Sequence, residues 1–243
     1  MDSNQPRKGF VALGLLLAFG LIAAAGLVSW TFYSVKQLDN TLSVTGSARQ
    51  HVTSDTVKWT AAFSRSTPAD DLKGGYAAMK ADEKKIMDFL ASKGIPAEAV
   101  TVQPVSLDEP FKYNPSMPRE YSLRQTVEVR SGDIQGVTSV AKDFQPLIEA
   151  GVVFSTQSLE YSYSKLPDLR VSLLSAAVQD AQARAGKIAE STGRQVGMLR
   201  SASMGVVQVL PVGSVEVSDY GAYDTSGIEK EVMVTVRTAF ALR

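Results

Sequence analysis

No charge interrupts the chain from Gly9 to Val35, and beyond that point apolar residues recur at strand and helix spacings. The apolar run, FVALGLLLAFGLIAAAGLVSWT at residues 10–31, is long enough to cross a bilayer, which takes about 20 residues at ~1.5 Å each. Arg7 and Lys8 precede it, while Lys36 and Asp39 follow and roughly cancel. Basic residues resist translocation, so the N-terminus is expected in the cytoplasm and the chain after Val35 on the outer side. Secretory apolar cores are shorter, ~7–15 residues, so the length favours an uncleaved anchor over cleavage near Ala23, Ala24 and Ala25. The expected organisation is a cytoplasmic tip and transmembrane anchor at residues 1–37, then an outer domain at residues 38–243.

Alternation of apolar and polar positions predicts strands. Leu42, Val44, Gly46 and Ala48 alternate with Ser43, Thr45 and Ser47. Val57, Trp59, Ala61 and Phe63 alternate with Thr56, Lys58, Thr60 and Ala62. Gly46 inside the first strand points to a bulge or a close backbone approach. His51, Ser54 and Asp55 are expected at the turn between the two strands. Residues 69–93 read as a helix with Leu72, Tyr76, Met79, Ile86, Phe89 and Leu90 inward. Its expected caps are Ser66 or Thr67, and Asp82, Glu83, Lys84 and Lys85 form its expected wet face. Gly94 and Pro96 end it. Strands are expected at residues 99–113 and 119–130, joined by the proline-rich link PFKYNPSMPRE. Asp133 caps a helix through residue 148 that Pro146 interrupts in its last turn. A strand follows at residues 152–164, with a bulge near 155–157. Residues 168–192 read as a helix whose stripe of Leu169, Leu173, Ala177, Ala181, Ala185 and Ile188 is alanine-rich, so its neighbour packs close. The last strands fall at residues 196–210 and 228–242, around a polar loop at 211–227 with a possible short strand at 215–217. The order anchor, β-β-α-β-β-α-β-α-β-β predicts an α+β fold: an N-terminal transmembrane helix, then a mostly antiparallel sheet domain with helices packed on it.

Composition narrows the chemistry. The chain has 25 basic and 25 acidic residues, so no net field draws nucleic acid toward it. It has no cysteine, which excludes disulfides, thiol catalysis and cysteine metal sites. His51 is the one histidine. With Ser54 and Asp55 it supplies the residue types of a hydrolase, but the chain lacks a nucleophile elbow around them. No His/Asp/Glu cluster has metal-ligand spacing, and Asp108-Glu109 is a lone acidic pair. Lys73-Gly74-Gly75 lacks the frame of a phosphate loop and reads as a weak first turn or a kink. Arg184, Lys187 and Arg194 are spread out and balanced by Asp180 and Glu190. Tyr161, Tyr163, Tyr220 and Tyr223 suit half-buried strand positions or an aromatic surface. The sequence supplies no cofactor site.

The segment LSVTGSARQHVTSDTVKWTAAFS resembles the opening of the SIMPL-domain (DUF541) family, whose first strand reads like "ISVTGEGEV". AAVQDAQARAGKIAESTG resembles that family's "A…DA…KA…LA…G" helix, and VMVTVRTAFAL resembles its last strand. Gly46 and the spacing of Asp180, Ala185 and Gly193 carry most of the resemblance. It implies a periplasmic or envelope protein, not a known enzyme, similar to proteins linked to oxidative or envelope stress. The long apolar run departs from the many relatives that read as signal-peptide proteins, and with it the expectation is a single-pass protein of a bacterial inner membrane through residues 10–31, with the C-terminal domain in the periplasm. The resemblance implies homo-oligomeric assembly and transfers no catalytic residues. Within this reading the expected assembly surface comprises Tyr113 and Met117 in the proline-rich tip, Tyr220 and Tyr223 in the later loop, and exposed strand edges. The alternatives are a hydrolase using His51 and a carrier of a small ligand.

Overall fold

The computed structural model describes residues 5–38, 40–109, 119–214, 218 and 220–243. In chain order the elements are α1 (Gln5–Leu38), β1 (Thr41–Thr53), β2 (Thr56–Pro68), α2 (Leu72–Ser92), β3 (Val100–Val102), β4 (Ser106–Asp108) and β5 (Glu120–Ser131). Then come α3 (Ile134–Lys142), α4 (Gln145–Glu149), β6 (Val153–Ser162), α5 (Leu166–Ser191), β7 (Val196–Met204), β8 (Gln208–Pro211) and β9 (Glu229–Leu242). The chain forms two compact units. One unit, called the anchor unit after the expected anchor within it, contains Met1–Ala48, Leu174–Gly205 and Thr235–Arg243; the central unit contains Arg49–Leu173 and Val206–Val234. The α+β architecture with an apolar N-terminal helix is as the periodicity predicts.

In the central unit, β3, β5, β2 and β6 lie side by side in that order, all antiparallel, with β4 also on β5. Strands β2 and β5 pair without a break from Val57 opposite Ser131 to Pro68 opposite Glu120. On the other side of β2 the register jumps, so that Thr60 faces Ser158 and Ala61 faces Thr156. Gln157 is the extra residue, and the expected bulge is present. The apolar alternation of β2 and β5 buries Val57, Trp59, Phe63, Leu123, Val127 and Val129 in one core with Met79 and Ile86 of α2. Trp59 and Phe154 meet edge to face at 5.9 Å, and the Trp59 indole N–H donates to the Thr156 hydroxyl at 3.1 Å.

Several local expectations change. His51 lies within β1, and the turn is Ser54-Asp55 alone. That turn carries the chain from one sheet into another, because β1 pairs with β9 while β2 pairs with β5 and β6. Asp71, rather than Ser66 or Thr67, caps α2, its carboxylate accepting the Gly74 N–H at 3.0 Å. Tyr76 is exposed, and Asp82 is buried at 1% exposure rather than wet. Asp82 sits three residues after Met79 and four before Ile86, which is the core-facing spacing. Pro104 lacks a donor and splits the expected strand at 99–113 into β3 and β4. Pro146 cannot continue α3, so the helix stops and restarts with proline in the first turn of α4. Gly205 marks the break between β7 and β8. The short strand expected at 215–217 lies outside the described residues.

In the anchor unit, the sheet places β9 between β1 and β7. Ala177, Ala181, Ala185 and Ala189 of α5 are at most 1% exposed, whereas Ile188 is 44% exposed, so the stripe continues through Ala189. Gly46 explains the alanines. A Cβ at Gly46 would collide with the backbone carbonyl of Ala177 and lie 2.7 Å from the Ala181 Cβ, so strand and helix touch backbone to backbone. In α1, residues Leu13–Tyr33 have mean hydropathy 2.1 and none of that window is buried. This helix is long and apolar enough to cross a membrane, a property that signal sequences near an N-terminus share.

Candidate functional site

The hydrolase alternative needs His51 to converge with Ser54 and Asp55, and here His51 and Asp55 take other partners. His51 Nε2 lies 3.0 Å from Glu231 of β9, whose other carboxylate oxygen accepts from Arg49 at 3.0 Å. Glu231 is nearly buried, while the His51 side chain is 64% exposed. Two residues along β1, the Thr53 hydroxyl donates to Glu229 at 3.0 Å. Asp55 instead accepts from the Ser164 hydroxyl and N–H at 2.7 and 2.8 Å, and from the Thr56 hydroxyl at 3.2 Å. Burial pushes the Asp55 carboxyl up, but the Ser164 and Thr56 hydrogen bonds outweigh it and hold the group below the usual carboxylate range. The Ser54 hydroxyl is buried and has no partner among the described residues. An acid does hold the histidine, but it is Glu231; the Thr53, Thr56 and Ser164 hydroxyls are turned to other carboxylates, and the Ser54 hydroxyl meets none among the described residues.

Ser218 and Asp224, two described residues after β8, are held by buried side chains of β8 and β9. Gln208, 2% exposed, donates its amide to the Ser218 carbonyl at 2.5 Å. Lys230, fully buried, donates to the Asp224 carbonyl at 2.6 Å and faces its carboxylate at 3.4 Å. Burial raises the Asp224 pKa, but donors from Ser226 and Gly227, together with the Lys230 charge, bring it below the ordinary value. A hollow of about 420 Å³ lies beside the loop, lined by Val209, Pro211, Ser218, Ala222 and Tyr223 among others. Tyr220 is 97% exposed and Tyr223 48%. Tyr113 and Met117 lie outside the described residues.

Glu231, Arg49, Gln208 and Lys230 escaped the sequence reading, although Lys230 left a signal. It is in phase with Val232, Val234 and Val236, so period two already puts an ammonium on the buried face. Among the described residues no group of three or more His, Asp or Glu side chains can hold a metal.

The anchor unit presents a different surface. Strand β7 bonds to β9 on one side and, among the described residues, is an edge on the other. Residues 198–204 are exposed throughout, including Met198, Leu199 and Met204 at 64, 47 and 55%. Leu199 faces Phe240 and Met204 faces Val236 across the ladder, so they extend the apolar face of β9 outward. On the other side of the unit, Asp180 accepts the Ser47 N–H at 2.8 Å and the Arg184 guanidinium at 2.8 Å. The Ser47 N–H, then the Arg184 hydrogen bond, hold its carboxyl below the ordinary value.

These features define a class: an α+β domain whose antiparallel sheets carry helices and whose anchor unit is locked by a glycine on a strand and an aspartate on a helix. A family described as "SIMPL: Protein of unknown function (DUF541)" matches residues 42–240, and the chain belongs to that family. No match to a curated protein was found. The Gly46 and Asp180 positions that carry the resemblance are the two that fasten β1 to α5.

Proposed function

We propose that this SIMPL protein is a membrane-anchored, non-enzymatic interaction and assembly module. In this reading α1 is retained in a bacterial inner membrane and residues 38–243 work as one domain in the periplasm, in envelope or oxidative stress. The observation that carries assembly is the open edge of β7 with Met198, Leu199 and Met204 exposed along it. Unpaired edges template the addition of another strand, and natural proteins usually blunt them with charge. Here Arg200 is the only charge between Val196 and Met204. The loops at 110–118 and 211–227, with Tyr113, Met117, Tyr220 and Tyr223, are the accessory contacts.

The test is the mass of the full chain in detergent by light scattering across a concentration series. A discrete multimer is expected, with Leu199→Lys lowering its mass and deletion of residues 110–118 lowering it further without loss of fold. A monomer at every concentration would sink the proposal. Hydrolysis keeps one supporting observation, the Glu231 carboxylate that orients His51. It predicts that His51→Ala abolishes a measured hydrolase activity.

A further inference from the structure

The anchor unit has one end tied to α1 by a very short link. The apolar window of α1 closes at Tyr33, and the helix continues to Leu38. The Asn40 carbonyl already accepts the Leu242 N–H at 3.0 Å, so the sheet begins there. Residues 34–40 span at most ~25 Å fully extended, and about 15 Å with the helix intact. Trp30 and Tyr33 are suited to the membrane–water interface, a zone roughly 5–8 Å thick on each side. With α1 in a bilayer, the same end of the sheet therefore lies within about 15–25 Å of the point where the apolar window ends.

Its neighbours at that end are set by hydrogen bonds. Gln195 and Arg243 exchange N–H···O bonds at 2.9 Å, which puts the start of β7 about two strand spacings, ~10 Å, from Asn40. Beside Gln195 runs a groove of about 690 Å³ lined by Gly186, Lys187, Glu190, Gly193, Arg194 and Gln195. Lys187 pairs with Glu190 at 3.0 Å, but their side chains are 84 and 72% exposed, so the pair is weak and easily exchanged. The Arg194 guanidinium has no ion-pair partner among the described residues. An arginine and a lysine over a shallow, headgroup-sized groove match a phosphate diester.

We propose that this end of the anchor unit binds phospholipid headgroups, with Lys187 and Arg194 meeting lipid phosphate in the groove between the end of α5 and the start of β7. The proposal rests on α1 being an uncleaved anchor. The native chain has no cysteine, so a single introduced one is labelled uniquely. Full-length protein carrying Gln195→Cys or Ser203→Cys, each with a fluorophore, is reconstituted into phosphatidylethanolamine–phosphatidylglycerol vesicles containing a lipid with a nitroxide on its headgroup. Residue 203 lies on β7, which starts just after Gln195, about 26 Å farther along. Quenching is expected to be several-fold stronger at 195 than at 203. Lys187→Glu with Arg194→Glu should remove most of that excess, since each basic side chain near an anionic surface is worth about fivefold in binding. Circular dichroism checks that the charge-reversed protein keeps its fold. Equal quenching at the two positions, or an excess that survives charge reversal, overturns the proposal while leaving the anchor intact. Failure of the protein to float with the vesicles overturns the anchor reading, and this proposal with it.

Discussion

At the scale of single residues, Gly46 and Asp180 do the most with the least. Gly46→Ala would drive a methyl into the Ala177 carbonyl and Ala181, where backbone on both sides resists relaxation. A loss of about 3 kcal/mol is expected, the upper end for overpacking, read as a lower urea midpoint with an unchanged slope. Asp180 acts through charge. Its folded pKa is depressed by the Ser47 N–H and Arg184 relative to an unfolded aspartate near ~3.9, so its contribution is complete above that value and fades as pH falls through the folded pKa. Asp180→Asn should flatten the acid limb of stability below about pH 4. The flattening is partial, because Asp55 and Asp224 are depressed too and titrate with the same sign. Sequence alone suggested the close approach at Gly46, since a glycine interrupts a strand and an alanine stripe needs a thin partner. It did not reveal that the partner of Gly46 is that stripe, because the two lie more than a hundred residues apart; the Ser47–Asp180 bond spans 133.

Among the elements, α2 is held to the sheet by an ion pair as well as by apolar contact. Arg65 of β2 reaches Asp82 with Nε at 2.5 Å and a second nitrogen at 3.0 Å, and also donates to the Gly151 carbonyl at 3.1 Å. Lys85 stands 3.4 Å from the same carboxylate and donates to the Ala150 carbonyl at 3.0 Å. Helix α2, strand β2 and the turn before β6 thus share one buried charge. Arg65→Met leaves that charge with Lys85 alone, and a loss of about 3 kcal/mol in chemical unfolding is expected. Lys85→Met, at the more exposed partner, should cost well under half as much. Among the described residues most element types were legible, because period two and period three-to-four recur in long runs. Sheet membership was not. Nothing in the alternation of β1 and β2 says that Ser54-Asp55 changes sheets rather than closing a hairpin. Asp82 was readable in principle, since its spacing from Met79 and Ile86 is that of a core position, but its charge argued for water. Pairing with Arg65 resolves that conflict, and a linear pattern does not display a pairing partner. The candidate sites followed the same rule: the sequence left Tyr220 and Tyr223 open between half-buried strand positions and an aromatic surface, and it did not reveal the Glu231 partner of His51.

For the whole molecule, the chain's first strand and its last belong together. β1 lies beside β9, the Thr238 hydroxyl donates to the Val44 carbonyl across 194 residues, and the Asn40 carbonyl takes the N–H of Leu242. The central unit can pair β2 with β5 and β6 as soon as residue 162 is available. β1 has no such early partner. At a synthesis rate of ~5–20 residues per second, the stretch from Val44 to Thr238 takes roughly 10–40 seconds to appear. During that interval a strand beginning TLSVTGSA waits with the hydrogen-bonding edge that β9 will occupy still open. A protein built this way is most vulnerable while it is being made. Its first strand is open to whatever guards nascent chains, and to the unfinished first strands of its neighbours.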